Sequence, residues 1–413
     1  MPTSGVSEKL AKCQALLVVL YAISLPLSLT ASWAVLLSGI AVWILQAIVG
    51  RRPSPASPAL APSLPPLAAP LGVFAGVVTV SGLVNGGLGE AGKSLESLRA
   101  LLVYFWAYQV FAGSRLAMVV SVQALLAVGA CAGVWGMVQQ LFHFHPFGYP
   151  YLQGTGFLGS PMAFAGQMQI FGLLALGVLL SGGYGRLRQL LAGRVRFGAV
   201  TAANLVGVVF ASERGAWLGV IAGIISLAGI YSWRALLKSC LTLAVVSLAA
   251  WATIPVVQTR LAPLQHWQED VSTRVRLFLW RESINRWRQS PILGVGIRRY
   301  PHFNIPEAIV PGRSTDINHA HSNYFQILTT TGVVGLAAYL WLWLCALRMA
   351  LGQAGTAGDS LDRGLALGVF AATVALMVSG AFEYNFGTSQ VRLAQWFALA
   401  LIGNAGGSKR SDA

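Results

Sequence analysis

Residues 319–347 are the most informative stretch for the fold, because the chain changes there from a polar loop to a long apolar run. They read His-Ala-His-Ser-Asn-Tyr-Phe-Gln-Ile-Leu-Thr-Thr-Thr-Gly-Val-Val-Gly-Leu-Ala-Ala-Tyr-Leu-Trp-Leu-Trp-Leu-Cys-Ala-Leu. The run from residue 323 is long enough for a helix that crosses the hydrocarbon core of a bilayer, which takes roughly 20 residues. His321 stands just before it, and an imidazole can take or give a proton near neutral pH. The boundary is therefore a candidate site for chemistry at a membrane surface.

Composition extends this conclusion to the whole chain. Of 413 residues, 55% are hydrophobic and 10% are charged, and the mean hydropathy is +0.65. So few charges cannot cover the surface of a soluble domain. Apolar runs predict an all-α polytopic membrane protein with about twelve transmembrane helices. The predicted spans are 12–30, 32–49, 66–84, 98–113, 117–141, 161–181, 197–212, 216–232, 235–254, 323–347, 364–382 and 391–405.

The distribution of basic residues predicts how the chain is oriented across the membrane. With a cytoplasmic N-terminus, the inner loops and tails hold 15 of the 28 Lys and Arg residues and the short outer loops hold 4. The remaining 9 lie in the long 255–322 loop, which does not bear on orientation. Nine spans then occupy 1–254, the loop 255–322 is periplasmic, three spans occupy 323–405, and 406–413 form a cytoplasmic tail. The formal net charge of +15 fits topology determinants beside anionic inner-membrane lipids, so no nucleic-acid partner is expected.

The 255–322 loop contains a predicted amphipathic helix over residues 272–289. One face carries Arg276, Trp280, Ser283 and Trp287, at spacings of four, three and four. The opposite face carries Arg274, Arg281 and Arg288. Such a helix fits either a basic segment that binds lipid headgroups or one that presents arginine to a phosphorylated substrate.

Arg214 lies between two predicted spans with scarcely any loop around it. An arginine at the edge of hydrocarbon needs an acid, backbone carbonyls or an anionic ligand. Glu213 is one candidate partner, and a pyrophosphate that loop arginines also contact is the other. The sequence has no outer Asp-x-Asp, Walker motif, nucleophile elbow or zinc-spaced His/Cys cluster. These absences predict metal-independent chemistry with no cofactor.

Three patterns resemble the O-antigen ligase family, part of a wider ligase and polymerase superfamily. They are His321-Ser322-x9-Gly332-x2-Gly335, Arg276-x3-Trp280 leading to Pro291-x2-Gly294-x-Gly296, and Ser212-x-Arg214-Gly215. The plan of a dozen spans with one large loop before the last three is also similar. Related chains often have serine directly before the arginine, whereas here Glu213 separates Ser212 from Arg214.

The resemblance implies a glycosyltransferase with GT-C-like architecture in the bacterial inner membrane. It would transfer a polysaccharide from undecaprenyl pyrophosphate to a sugar hydroxyl of lipid A-core on the periplasmic face, completing lipopolysaccharide. Arg214 and Arg276 would hold the pyrophosphate, helped by Arg274 or Arg288, and His321 would act as the base. The remaining predicted substrate-binding residues are His319, Asn323, Tyr324 and Trp280.

Alternatives remain inside and outside the superfamily. An O-antigen polymerase would use a second lipid-linked glycan as acceptor, and a protein O-oligosaccharyltransferase would use a protein. The latter often carry extra C-terminal sequence, so the length favours a ligase. A transporter of lipid-linked sugars would carry basic residues along several spans, whereas here they lie at the ends.

Overall fold

A computed structural model describes residues 2–50, 64–144, 146, 153–187, 191–310 and 315–403. The N-terminal helices are α1 (Pro2–Ser24), α2 (Leu29–Gly50), α3 (Ala68–Ser97), α4 (Leu102–Gly113), α5 (Arg115–Phe142), α6 (Pro161–Ser181), α7 (Arg194–Phe210), α8 (Arg214–Tyr231) and α9 (Trp233–Thr253). The loop region holds α10 (Pro255–Leu261), α11 (Val271–Trp287), β1 (Phe303–Ile305) and β2 (Thr315–Ile317). The C-terminal helices are α12 (Asn323–Thr356), α13 (Ser360–Ser379) and α14 (Ser389–Ile402). Short 3-10 turns lie at Arg99–Leu101, Gly183–Arg186, Ala262–Leu264 and Asn385–Gly387.

Each predicted span corresponds to one helix, α1 to α9 and α12 to α14. This confirms an all-α polytopic membrane fold. Within the described ranges, 8 helical segments are long and apolar enough to cross a membrane, with Ala68–Gly113 counted as one. Helices α1, α7 and α14 are not among them, so the number of twelve crossings stays a prediction.

Contacts between helix ends separate the two ends of the bundle. At one end, Gln167 near the start of α6 donates hydrogen bonds to the carbonyls of Leu25 and Gln390, both at 3.0 Å. At the other end, Arg115 at the start of α5 donates to both carboxylate oxygens of Asp362 at 3.0 Å. The turns predicted to share one side of the membrane therefore lie together in the bundle.

The predicted loop helix is confirmed as α11. The Asp270 carboxylate caps its first turn by accepting a hydrogen bond from the backbone N–H of Thr273 at 3.1 Å. Leu279 and Ser283 are the buried residues of α11, and Ser283 lies on the predicted face of Arg276 and Trp280. The short helix α10 and the antiparallel pair β1 and β2 were not predicted.

Two glycines join the loop to α12 by close backbone packing. Gly332 has φ +67° at a break inside α12, and a Cβ there would lie 2.1 Å from the carbonyl oxygen of Ile292. Gly294 has φ +62°, and its Cβ would lie 2.4 Å from the carbonyl carbon of Thr330. The Gly296 N–H donates to the Thr330 carbonyl at 2.8 Å. These positions need glycine because other residues would clash there and rarely adopt positive φ. The glycine pattern therefore fixes α11 and its following turn against α12.

Candidate functional site

A cavity of about 300 Å³ lies where α8, α10 and α11 meet the turn between α13 and α14. We call it the arginine cavity, because three guanidinium groups line it. Its polar lining includes Ser212, Glu213, Arg214, Arg260, Ser272, Thr273 and Arg276. Its apolar lining includes Leu218, Leu277, Trp280 and Phe382. Guanidinium groups beside an apolar wall suit an anionic headgroup attached to a lipid chain.

Arg214 enters this cavity from the first position of α8. Its Nη2 contacts a carboxylate oxygen of Asp270 at 2.8 Å, so the partner is Asp270 and the predicted alternative, Glu213, is not the ion-pair partner. Burial alone would raise the pKa of Asp270, but hydrogen bonds from Thr273 and Arg214 lower it. Nη1 of Arg214 is buried without a hydrogen-bond partner among the described residues. An unsatisfied buried cationic donor is costly, so it is a candidate for ligand binding.

The turn before Arg214 is strained. Ser212 has φ +60°, a left-handed conformation that serine seldom adopts, and it is buried. Its hydroxyl donates to the carbonyl of Phe210 at 3.3 Å. Strain of this kind is concentrated at functional sites, and His321 shares it with φ +47°. The structure thus gives Ser212 a role in shaping the turn that directs Arg214.

Arg276 reaches the same cavity from α11. Its Nη2 contacts Glu383 Oε1 at 2.7 Å, and its Nε donates to the Phe382 carbonyl at 2.9 Å. Glu383 is 7% exposed, and burial raises the pKa of its carboxyl against the opposing effect of Arg276. Its Oε2 makes no hydrogen bond to any part of the chain that is described. The guanidinium is therefore held at the cavity by the turn that joins α13 and α14.

The loop carrying the two histidines is fixed at Ala320. The Trp280 indole N–H donates to the Ala320 carbonyl at 3.1 Å, and the Ala320 N–H donates to Gln326 Oε1 at 2.8 Å. Trp280 also stacks on Phe325 with ring centroids 5.0 Å apart. Both backbone groups of Ala320 are thus engaged, and this limits the movement of the residues on either side.

His319 and His321 face each other with ring centroids 4.2 Å apart. Burial, together with His319 and Arg276, lowers the pKa of His321 to about 3, and burial lowers the pKa of His319. Nδ1 of His321 is buried and unpaired within the described ranges. His321 is therefore neutral near pH 7 and can accept a proton.

A second cavity, of about 380 Å³, lies beside His319. We call it the polar cavity; its lining includes Arg298, Tyr300, His302, Asn318, His319, Gln326, Tyr384 and Thr388. A small cavity bordered by Glu213 and Glu383 separates it from the arginine cavity. This small cavity also shares Met162 and Thr388 with the polar cavity. The histidine loop is therefore near two distinct cavities.

Six predicted site residues do not line the arginine cavity: the two histidines, His319 and His321, and four others, Arg274, Arg288, Asn323 and Tyr324. Arg274 donates to the carbonyl of Ala308, and Arg288 is exposed at the C-terminal end of α11. The amide of Asn323 is buried and bonded to Asn385 and to the N–H of Phe386. The Tyr324 hydroxyl donates to the carbonyl of Met377 at 2.7 Å. Direct substrate roles for these four residues stay predictions that their contacts do not support.

Sequence reasoning missed four contributors, namely Arg260, Asp270, Gln326 and Glu383. Asp270 could have been recognised as a cap, because an acid precedes the helical pattern of α11. Glu383 is an acid at the end of a span, where a partner is expected. No signal in the sequence pointed to Arg260 or Gln326. In the part of the chain described, no group of three His, Cys, Asp or Glu residues is arranged to hold a metal ion.

The range matched by a known family includes part of this site. A family model described as O-antigen ligase covers residues 197–340, a range that includes Arg214, Arg276 and His321. No curated protein matches the chain. The members of this family are glycosyltransferase-like enzymes that act on lipid-linked polysaccharides. The match over residues 197–340 supports membership of the O-antigen ligase/polymerase family.

Proposed function

We propose that the protein is an O-antigen ligase of the bacterial inner membrane. It transfers a polysaccharide from undecaprenyl pyrophosphate to a sugar hydroxyl of lipid A-core, on the periplasmic face and without metal. Both termini are then cytoplasmic. The observation that carries the proposal is the presence of Arg214 and Arg276 in one cavity beside the histidine loop.

The arginine cavity supplies the electrostatic part of the reaction. A pyrophosphate bound there would meet the unpaired Nη1 of Arg214 and the guanidinium of Arg276. Both cations would stabilise charge that develops on the leaving pyrophosphate more than charge in the ground state. The apolar residues Leu218 and Leu277 offer a wall for the first isoprene units.

His321 supplies the proton acceptor. The acceptor hydroxyl attacks the anomeric carbon, the bond from that carbon to the pyrophosphate oxygen breaks, and the hydroxyl proton passes to the neutral imidazole. The low pKa of His321 keeps this ring unprotonated before the reaction. As charge develops on the pyrophosphate, the negative field favours the imidazolium and strengthens the base.

The polar cavity is the proposed acceptor site. It offers hydroxyl, amide and imidazole groups that suit a saccharide, and His319 lines it directly. A hydroxyl held there and a pyrophosphate held in the arginine cavity would meet at the histidine loop. In this arrangement the donor approaches the histidine loop from the arginine cavity and the acceptor approaches it from the polar cavity.

Reconstitution tests the proposal. Purified protein, undecaprenyl-pyrophosphate-linked polysaccharide and lipid A-core should yield a lipopolysaccharide of higher mass, with equal yield after a chelator is added. Arg281→Ala is the matched control for Arg276→Ala, because both remove an arginine from α11 and Arg281 is exposed. Equal yields from Arg214→Ala, Arg276→Ala and Arg281→Ala would refute the arginine cavity as the donor site.

Changing the acceptor separates the alternatives. Elongation of the lipid-linked glycan in the absence of lipid A-core would identify a polymerase. Transfer to a protein would identify a protein O-oligosaccharyltransferase. Movement of the labelled donor across a vesicle membrane without any new glycosidic bond would identify a lipid-linked sugar transporter.

A further inference from the structure

Glu213 is an acidic residue in the lining of the arginine cavity, where an anionic ligand would repel an ionised carboxylate. It occupies the N-cap position of α8, yet its side chain makes no capping hydrogen bond. An ionised carboxylate at this position would normally accept from the free N–H groups of the first helical turn. Glu213 instead borders both the arginine cavity and the small cavity that holds Glu383.

The charges around Glu213 come from every neighbouring segment. The cations are Arg214 on α8, Arg260 on α10 and Arg276 on α11. The acids are Asp270, paired with Arg214, and Glu383, paired with Arg276. With Glu213 ionised, three positive charges meet three negative charges and the site has no net charge. With Glu213 neutral, the site has a net charge of +1.

Two further observations favour the neutral form. Glu383 is nine-tenths buried and its Oε2 has no hydrogen-bond partner in the described structure, so a second negative charge nearby is unfavourable. Burial and then Glu383 raise the pKa of Glu213 to about 8, against the opposing effects of Arg260, Arg276 and Arg214. Near pH 7 the protonated carboxyl is therefore the main form.

We propose that Glu213 binds the donor pyrophosphate as a neutral carboxylic acid, donating a hydrogen bond to a phosphate oxygen held by Arg214 and Arg276. Glu383 keeps Glu213 neutral through the repulsion between the two carboxyl groups. This inference rests on the proposed function, because it assigns the pyrophosphate to the arginine cavity. It makes Glu213, a departure from the family pattern, a binding residue.

Proton uptake follows from this assignment. Ionised Glu213 must take up a proton before it can donate to the phosphate, so donor binding above pH 8 is linked to proton uptake. A folded-state pKa of about 8 predicts binding about fourfold weaker at pH 8.5 than at pH 7. It also predicts uptake of about three quarters of a proton per bound donor at pH 8.5.

Titration calorimetry tests the proposal with a monoglycosyl polyprenyl pyrophosphate as the probe. This diester has no ionisation of its own near pH 8, so any proton taken up belongs to the protein. Measurements at pH 8.5 in two buffers with different ionisation heats give the number of protons. Glu213→Gln should bind within about threefold of the unmodified protein at pH 7, because the amide is also a donor, and should lose both the proton uptake and the alkaline weakening. Glu269→Gln, an exposed acid near Asp270, is the matched control and should retain both.

Glu213→Ala separates the hydrogen bond from the charge. It should also abolish proton uptake, but it should bind at least about fivefold more weakly than Glu213→Gln, since it has no donor. Equal binding by these two variants, or uptake that persists in Glu213→Gln, would overturn the proposal. So would a Glu213→Gln variant that binds more than tenfold tighter at pH 7. Arg214→Ala distinguishes failure of the proposed function from failure of this inference. Normal binding of the probe by Arg214→Ala would show that the donor site is wrong. Lost binding by Arg214→Ala, with no proton uptake by the unmodified protein, would contradict only the role of Glu213.

Discussion

Trp280 donates its indole N–H to the carbonyl oxygen of Ala320 over 3.1 Å, which ties α11 to the loop between the two histidines. Arg276 lies one helical turn before Trp280, so the same helix carries a cavity arginine and a support for the histidine loop. The position of the cation relative to the histidine loop is therefore constrained through α11 and this hydrogen bond. This gives a structural reason for the spacing of Arg276-x3-Trp280 in this chain.

The first prediction tests this tie. Trp280→Phe keeps an aromatic ring against Phe325 but removes the hydrogen bond, and it should lower kcat for transfer about fivefold with little change in thermal stability. Trp287→Phe is the matched control, because it removes a similar indole bond, to the Pro291 carbonyl, outside the histidine loop. Initial rates of lipopolysaccharide formation measure both. Equal rates for the two variants would show that the Ala320 contact does not position His321.

Most of the fold could be predicted because each membrane helix corresponds to a continuous apolar run in the sequence. Every predicted span became a helix, and α11 appeared within two residues of its predicted limits. The strands β1 and β2 are three residues each and pair across a loop, so no local periodicity marks them. The break at Gly332 depends on contact with Ile292, 40 residues earlier, which a sequence window cannot detect.

Two of the three cations that line the arginine cavity, Arg214 and Arg276, were predicted, whereas Arg260 and the acidic partners were not. Arg214 stood out because an arginine between two spans needs a partner, but the identity of the partner, Asp270, depends on how α10 and α11 fold back. Glu383 reaches Arg276 from a turn more than a hundred residues later. Asn323 was predicted to bind substrate; its amide joins α12 to the turn at Asn385, a contact that depends on the tertiary fold.

The second prediction concerns the buried ion pair of Arg276 and Glu383. Arg276→Ala should lower both stability and transfer, because it leaves a carboxylate buried without its cation. Adding Glu383→Gln should restore much of the stability but not the transfer, because the neutral amide removes the buried charge without replacing the guanidinium. Thermal midpoints in detergent and transfer rates separate the two effects. Recovery of transfer in the double variant would mean that Arg276 serves only the ion pair.

The third prediction concerns backbone packing. Gly332→Ala should lower the unfolding free energy by about 2 kcal/mol or more, because its Cβ would meet the Ile292 carbonyl at 2.1 Å and its φ is positive. Gly352→Ala lies in the same helix with nothing within 4 Å of the added Cβ, and it should stabilise by about 0.5–1 kcal/mol. Thermal midpoints in one detergent provide the comparison. Equal midpoints for the two variants would contradict the packing argument.

The fourth prediction concerns the fork of Arg214. Arg214→Lys keeps the positive charge but loses one of the two Nη groups, so one ammonium cannot serve both Asp270 and a phosphate. Arg214→Lys and Arg214→Ala should both lose most of the transfer activity, with the donor KM raised. Asp270→Asn should have a milder effect, because Thr273 can still hold the side chain at position 270 and its amide oxygen can still accept from the guanidinium. Near-normal turnover by Arg214→Lys would reduce Arg214 to a salt-bridge residue.

The fifth prediction concerns the titration of His321. An imidazole with the ordinary pKa near 6.5 would halve kcat/KM at that pH, but burial holds His321 neutral there. We expect kcat/KM to stay level from about pH 7.5 to about pH 5. Because the folded state binds fewer protons than the unfolded state between pH 6.5 and about 3, this histidine should also make the protein less stable as the pH falls through that window. The thermal midpoint of His321→Ala should therefore fall less on acidification than that of the unmodified protein.

Substitutions of His321 distinguish a general base from a residue that only holds the acceptor in place. His321→Ala should reduce the rate of transfer on the order of 10²–10⁴-fold while donor binding persists, because the loss falls on proton transfer. His321→Gln should recover little of that rate if a proton moves, and an appreciable part if the ring only holds the acceptor by a hydrogen bond. His319→Ala is the matched control in the facing ring, 4.2 Å away, and it should raise the acceptor KM more than it lowers kcat. Normal turnover of His321→Ala together with an inactive His319→Ala would show that His319 is the base. Activity in both variants would contradict a histidine base, and the arginines alone would then account for the reaction.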